Sequence, residues 1–219
     1  GIKALSALLA AVAELADALD SKSSGAIRAG SSPASGIRLK DLTERSVRSL
    51  LYTIKKHERN KKMEKVAKII ATYFGLGLSP KAPGTVGSLG TLPLVAAAAY
   101  FYGTAGILLL AFAAFFIGVW ATHQLIKNQV NKDPSMVVID EVAGQSLTFA
   151  LVGNYLIGNW NLWYVYLIGF ALFRLFDIVK MGPVKWADSK LKNAWGVMLD
   201  DMFAGCLAAV ILLIISNKL

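Results

Sequence analysis

Five carboxylates in this sequence stand where a carboxylate is costly. Asp140 and Glu141 lie in Val-Val-Ile-Asp-Glu-Val-Ala-Gly, Asp177 in Leu-Phe-Arg-Leu-Phe-Asp-Ile-Val-Lys, and Asp200 and Asp201 in Gly-Val-Met-Leu-Asp-Asp-Met-Phe-Ala-Gly. An acid among apolar neighbours loses its hydration unless it is paired or bound to a metal, and adjacent acids also repel each other. A hard divalent cation, Mg²⁺ above all, relieves both penalties. It takes oxygen ligands and keeps positions open for phosphate and water. The competing reading is that these acids cap helices or pair with nearby lysines. Two acidic pairs and a third site favour the metal.

Cations accompany the acids. Arg174, Asp177 and Lys180 are spaced in steps of three, which on a helix puts them on one face. Such a face offers an acid to a metal and cations to phosphate oxygens; a charge-balanced inward stripe is the alternative. Upstream, residues 78–89 read Leu-Ser-Pro-Lys-Ala-Pro-Gly-Thr-Val-Gly-Ser-Leu. Pro83, Gly84 and Gly87 break structure, Thr85 and Ser88 supply hydroxyls, and Lys81 supplies charge. A helix starting near Ser88 would turn exposed amides toward an anion. This is not a P-loop, because no Lys-Ser/Thr follows the glycines. Gly144 lies four residues after Asp140, and Gly205 four after Asp201, so small residues would let helices approach closely around the acids.

The elements that must position these groups are apolar. The chain has 219 residues, 55% of them hydrophobic, and a formal charge of +9; its mean hydropathy is +0.53. Apolar and basic character together point to an anionic membrane, with lysines and arginines at the headgroups. No nucleic-acid-binding motif is present, and charge is segregated from the apolar runs. Those runs lie at about 92–102, 105–126, 145–158, 162–179 and 202–216, interrupted by Gly103, Gly106, Gly153 and Gly158. Several fall short of the ~20 residues that span a bilayer. The expected fold is all-α: a polytopic helical membrane protein with about four short or interrupted transmembrane helices around a polar acidic site. A soluble protein with very apolar helices is the alternative. The tracts 103–106 and 153–161 carry no charge, whereas lysines and Arg174 flank the other segment ends. The uncharged turns are therefore expected outside, with both termini in the cytoplasm.

Residues 1–62 form an expected amino-terminal extension, and 63–219 the membrane domain. The extension reads as a short alanine-rich helix over 1–20, a Ser/Gly-rich linker over 21–36 and a basic amphipathic helix over 37–62. The single cysteine, Cys206, permits no intrachain disulfide. No arginine in 207–213 completes a Cys-x5-Arg phosphatase loop. His57 lies in a basic run and His123 after an apolar one, and neither reads as a catalytic base.

Three ordered blocks of the chain resemble the phosphatidylglycerophosphatase A family. The first is Phe74-Gly75-Leu76-Gly77 with Pro80 and Ala82-Pro83-Gly84-Thr85-Val86-Gly87-Ser88-Leu89. The second is Asp133-Pro134 with Val138-Ile139-Asp140-Glu141 and Gly144. The third runs from Phe173 to Lys180, through Pro183, to Gly196-Val197-Met198-Leu199-Asp200-Asp201 and Ala204-Gly205. The resemblance covers residues 63–216 and departs from the family at Met181, Ala194-Trp195 and Ser189. It implies Mg²⁺-dependent hydrolysis of phosphatidylglycerophosphate to phosphatidylglycerol and phosphate at the cytoplasmic face of a bacterial inner membrane. The metal ligands would come from Asp140, Glu141, Asp177, Asp200 and Asp201, with Asp140, Asp177 and Asp201 catalytic. Lys81, Thr85, Ser88, Arg174 and Lys180 would bind the anionic phospholipid. The rival function is a small membrane transporter or channel whose acids form a cation path.

Overall fold

The computed structural model describes Val12, Glu14 and residues 39–127, 135–159, 161–191 and 193–218. Apart from helical Val12 and Glu14, the expected 1–20 helix and the 21–36 linker lie outside the described residues, as do Asp133 and Pro134. Among the described residues the regular structure is helical, with no strand. The helices are α1 (Leu39–Ala71), α2 (Pro83–Ile126), α3 (Ile139–Thr148), α4 (Trp163–Val179), α5 (Pro183–Lys190) and α6 (Ala194–Ser216), with 3-10 turns at Leu76–Leu78 and Gly153–Leu156.

The chain divides into two compact units, Gly1–Lys62 and Met63–Leu219. In the first, residues 45–62 are helical and none is buried. Leu51 and Ile54, on the expected apolar stripe, are half-buried, whereas Leu50 is exposed. The second unit holds the acids.

α2 is long enough for two passes. Ala82 in left-handed backbone and Pro83 at the first helical position start it. Gly103, at φ 57° and ψ −140°, breaks it in the middle. Its two halves fold back beside each other. Val138 packs on Gly87 in the first half, while the next residue, Ile139, packs on Gly118 in the second. Sixteen and fifteen residues separate these glycines from Gly103, about 23 Å of helix each way. Neighbouring residues can touch both only if Gly103 is the tip of a hairpin. A glycine suits that tip because the conformation is one that a side chain resists.

The tip defines one end of the unit. There the Thr104 N–H donates to Asn154 Oδ1 (3.0 Å), the Thr104 hydroxyl to the Ala150 carbonyl (2.8 Å), and the Gly158 N–H to the Tyr100 carbonyl (3.3 Å). The two uncharged tracts thus meet. Val95, Ala99, Ile107, Phe149, Leu156, Val165, Tyr166 and Leu212 form the core beside them. A second core, with Ala71, Phe115, Ala121, Leu125, Val137, Ile139, Met198 and Met202, lies toward the acids.

Leu212 in the first core and Met198 in the second fix the direction of α6. It starts at the acidic end and finishes beside the uncharged turns. Five legs therefore run between the two ends: the halves of α2, then α3 with its 3-10 extension, α4 and α6. The expectation of about four crossings with both termini in the cytoplasm came from the basic residues that flank the segment ends, with Lys218 closing the chain. One terminal lysine does not override the packing of a 23-residue helix. By length and composition, α2 and α6 are apolar enough to cross a membrane. Large apolar side chains stay exposed along the legs, among them Leu109 (73%), Phe116 (60%) and Ile178 (69%). That surface suits a lipid solvent, in which only helices or closed barrels satisfy the backbone.

Candidate active site

The acidic site forms where α3, α4 and α6 converge. α3 opens directly into it: Asp140 and Glu141 occupy its first turn, and Asp140 Oδ1 accepts the Glu141 N–H at 3.0 Å. Acids in a first helical turn face the positive end of the helix dipole. The segment leading into α3 is anchored, because the Val138 N–H donates to the Ala71 carbonyl at 2.8 Å.

α6 brings the second pair. Asn193 caps it, its side-chain oxygen accepting the N–H groups of Trp195 (3.0 Å) and Gly196 (3.1 Å). That cap fixes the helix start two turns before Asp200 and Asp201, both of which are buried. Glycines bring α3 and α6 together. A methyl group on Gly144 would collide with the Asp201 carbonyl, and one on Gly205 with the Gly144 carbonyl. The backbones touch at these points, beside the carboxylates.

Asp140, Glu141 and Asp201 each direct a carboxylate oxygen to one place, with the three oxygens within 4.8 Å of one another. Glu141 Oε2 is buried without a hydrogen-bond partner. A buried orphan oxygen carries an uncompensated desolvation cost, and a cation would remove it. An all-oxygen, all-anionic donor set fits a hard divalent ion. The site can thus bind a metal ion.

The remaining two acids have cationic partners. Arg174 Nη1 lies 2.6 Å from Asp177 Oδ2 and 3.8 Å from Glu141 Oε1. Lys180 Nζ lies 3.1 Å from Asp200 Oδ2. Arg174 and Asp177 share one face of α4, as their spacing implies. Lys180 does not continue that face. It leaves the helix in left-handed backbone at φ 47°, and Pro183 then opens α5. It reaches Asp200 from the loop instead. The reason is local: proline disfavours helix in the residue before it, and Gly182 takes the positive-φ turn at 54°. Asp177 is close enough to Asp200 and Asp201 for their charges to act on one another.

The upstream block contributes backbone. Helix α2 begins at Pro83 rather than near Ser88, and its second residue, Gly84, packs against the Glu141 carboxylate and the Arg174 guanidinium. A side chain there would displace Glu141. Ser88 is buried, and its hydroxyl donates to the Gly84 carbonyl at 2.8 Å. Thr85 is half-buried near the start of α2 and Lys81 is exposed one residue before Ala82. Neither is brought onto the acids by a described contact. Gln145, one turn beyond Glu141, was not singled out from the sequence. It is fully buried, and both atoms of its amide lack partners. The only sequence signal was an amide four residues after a buried acid.

The sequence profile of the family described as Phosphatidylglycerophosphatase A matches residues 69–216. Similar proteins include Phosphatidylglycerophosphatase A of Escherichia coli K12, 32% identical over 71% of this chain and 87% of that protein. The Haemophilus influenzae protein of the same name is 32% identical over 65% of this chain and 84% of its own length. A Bacteroides thetaiotaomicron protein, named as a candidate phosphatidylinositol-3-phosphatase, is 38% identical over 66% of this chain and 89% of its own length. No solved structure matches the chain. The matched span contains the acids of α3, α4 and α6 together with the Gly84 turn, and the chain belongs to the phosphatidylglycerophosphatase A family.

Proposed function

We propose that this chain is a Mg²⁺-dependent lipid phosphatase that hydrolyses phosphatidylglycerophosphate to phosphatidylglycerol and phosphate. We place the reaction at the cytoplasmic face of a bacterial inner membrane. Family membership supports a phosphatase of phospholipid biosynthesis. The observation that carries the reading is the convergence of Asp140, Glu141 and Asp201 beside Arg174. Five carboxylates meet only Arg174 and Lys180 among their described ion-pair partners. A site meant only to lock helices would balance its charges. This one has anionic capacity left over for a metal.

Asp140, Glu141 and Asp201 would hold the Mg²⁺, which when bound supplies positive charge to the phosphoryl oxygens and makes a coordinated water more acidic. The other groups do the positioning. The buried Nε of Arg174 has no hydrogen-bond partner and is available to a phosphate oxygen. Asp177, held by Arg174, accepts the proton of the attacking water or joins the ligand set. Lys180 screens Asp200 and adds charge at the lipid's phosphate. Lys81 and Thr85 complete the proposed headgroup site at the start of α2, and Ser88, whose buried hydroxyl holds the Gly84 carbonyl, shapes that turn from behind.

The direct test is phosphate release by purified protein from phosphatidylglycerophosphate, with and without Mg²⁺. Release that requires Mg²⁺ is expected. No release with any lipid phosphomonoester would overturn the reading in favour of a cation path. The name of the Bacteroides relative favours a second substrate, phosphatidylinositol 3-phosphate. It presents the same dianionic phosphomonoester on a bulkier headgroup, and running both lipids side by side separates the two.

A further inference from the structure

At the acidic end, on the face of α1 that leads into the site, the chain builds an open groove of about 400 Å³. Lys65, Lys68, Ile69, Thr72, Phe74 and Leu78 line it. This size falls in the range of small-ligand sites. No carboxylate lines it, so it is separate from the acids of the candidate active site.

The groove is held by a turn that resists relaxation. Tyr73, Phe74 and Gly75 follow one another in left-handed backbone, at φ 45°, 55° and 99°. Two non-glycine residues in that region carry strain, which persists only where surroundings over-determine it. They do so here. Buried Thr72 donates its hydroxyl to the Lys68 carbonyl (2.8 Å) and accepts the Gly75 N–H (3.2 Å). The Gly77 N–H donates to the Thr72 carbonyl (2.9 Å), and the Tyr73 hydroxyl donates to the Gly90 carbonyl (3.3 Å). The outcome is a Phe74 ring 81% exposed, beside Leu78 at 56% and Ile69 at 54%. Lys65 and Lys68 stand one helical turn apart on the same wall, and neither forms an ion pair among the described residues.

We propose that this groove binds an anionic diacyl phospholipid of the surrounding leaflet, distinct from the lipid being hydrolysed. The phosphate sits on the Lys65 and Lys68 ammonium groups, and an acyl chain lies against Ile69, Phe74 and Leu78. Apolar walls under a pair of cations complement a lipid with an anionic head. A second copy of this chain would instead bring a net charge of +9 toward those lysines. Because Thr72 and Ala71 tie the turn to Gly77 and Val138, a bound lipid would brace the segment that enters α3 at Asp140. The proposal stands whether or not phosphatidylglycerophosphate is the substrate.

Native mass spectrometry of the full chain released from detergent micelles tests it. The probes are dioleoylphosphatidylglycerol and dioleoylphosphatidylcholine, neither of which carries a phosphomonoester. The anionic lipid should be retained and the zwitterionic one displaced. The double variant Lys65→Gln, Lys68→Gln should lower affinity for the anionic lipid roughly thirtyfold, and Phe74→Ser should lower retention of it. Lys127→Gln, an exposed lysine outside the groove, should not. Retention should also survive Asp201→Asn, which touches only the acidic site. Equal retention of both lipids, or no effect of the lysine changes, overturns the proposal. So does loss of the adduct in Asp201→Asn, which would assign the lipid to the hydrolytic site. A dimer abolished by Phe74→Ser would assign the groove to a second copy.

Discussion

Glu141 shows how one residue ties the site together. Its carboxylate lies on Gly84, within 3.8 Å of Arg174, and shares a 4.8 Å cluster with Asp140 and Asp201. These acids crowd one another away from water, so a cation held between them would offset both penalties. Asp140→Asn, Glu141→Gln and Asp201→Asn keep size and remove charge. Each should lower phosphate release about a hundredfold or more at limiting Mg²⁺, while exposed Glu64→Gln stays near wild type. Metal removal gives a readout independent of activity. Mg²⁺ should raise the unfolding temperature of the wild type, through binding to the folded state alone, and chelation should reverse it. Asp201→Asn should show neither effect. The acids were legible in the sequence because they break apolar runs. The path of Lys180 was not, since its three-residue spacing imitates a helical face that Pro183 and Gly182 interrupt.

At the scale of elements, the close approach of α3 and α6 sets the distance between the acidic pairs. Gly144 and Gly205 make it possible, and their four-residue offset from Asp140 and Asp201 could be read from the sequence. Gly205→Ala would press a methyl group against the Gly144 carbonyl. It should destabilise the folded protein by about 1–3 kcal/mol, as overpacked contacts do. Thermal unfolding in detergent measures this, and Val210→Ala, at an exposed position of the same helix, checks that the loss is not general to α6. Activity should fall more than stability, because the displaced helix carries Asp201. The hairpin in α2 was also foreshadowed, by Gly103 and Gly106 between two apolar runs. The beginning of α2 was not. Pro83 and Gly84 read as breakers of structure, yet a proline is favoured at the first helical position, and Gly84 lets that first turn touch Glu141.

Across the whole molecule, the boundary between Lys62 and Met63 separates an exposed basic stretch from the unit that carries every group in the site. A protein beginning at Met63 should therefore keep its phosphate release in detergent, measured against the full chain at equal Mg²⁺. The direction of the last helix was the part that the sequence concealed. Lys218 resembles the lysines that flank the segment ends expected in the cytoplasm, and a charge count treats it alike. Packing distinguishes it, because Leu212 sits with Phe149, Leu156 and Tyr166 at the uncharged end, and Met198 with Ile139 at the acidic end. An odd number of legs then puts the end of α6 on the side of Gly103 and Asn159. Cysteine labelling can test this in a Cys206→Ala background, with a membrane-impermeant maleimide on intact cells. Ala105→Cys, Asn159→Cys and Lys218→Cys should all react before lysis, each being exposed at the uncharged end. Lys185→Cys, exposed on α5 beside the acidic site, should react only after lysis. Labelling of Lys218→Cys together with Lys185→Cys, and apart from Asn159→Cys, would restore an even number of crossings. That result would require α6 to turn back before Leu212, breaking the contact this residue makes beside Gly169.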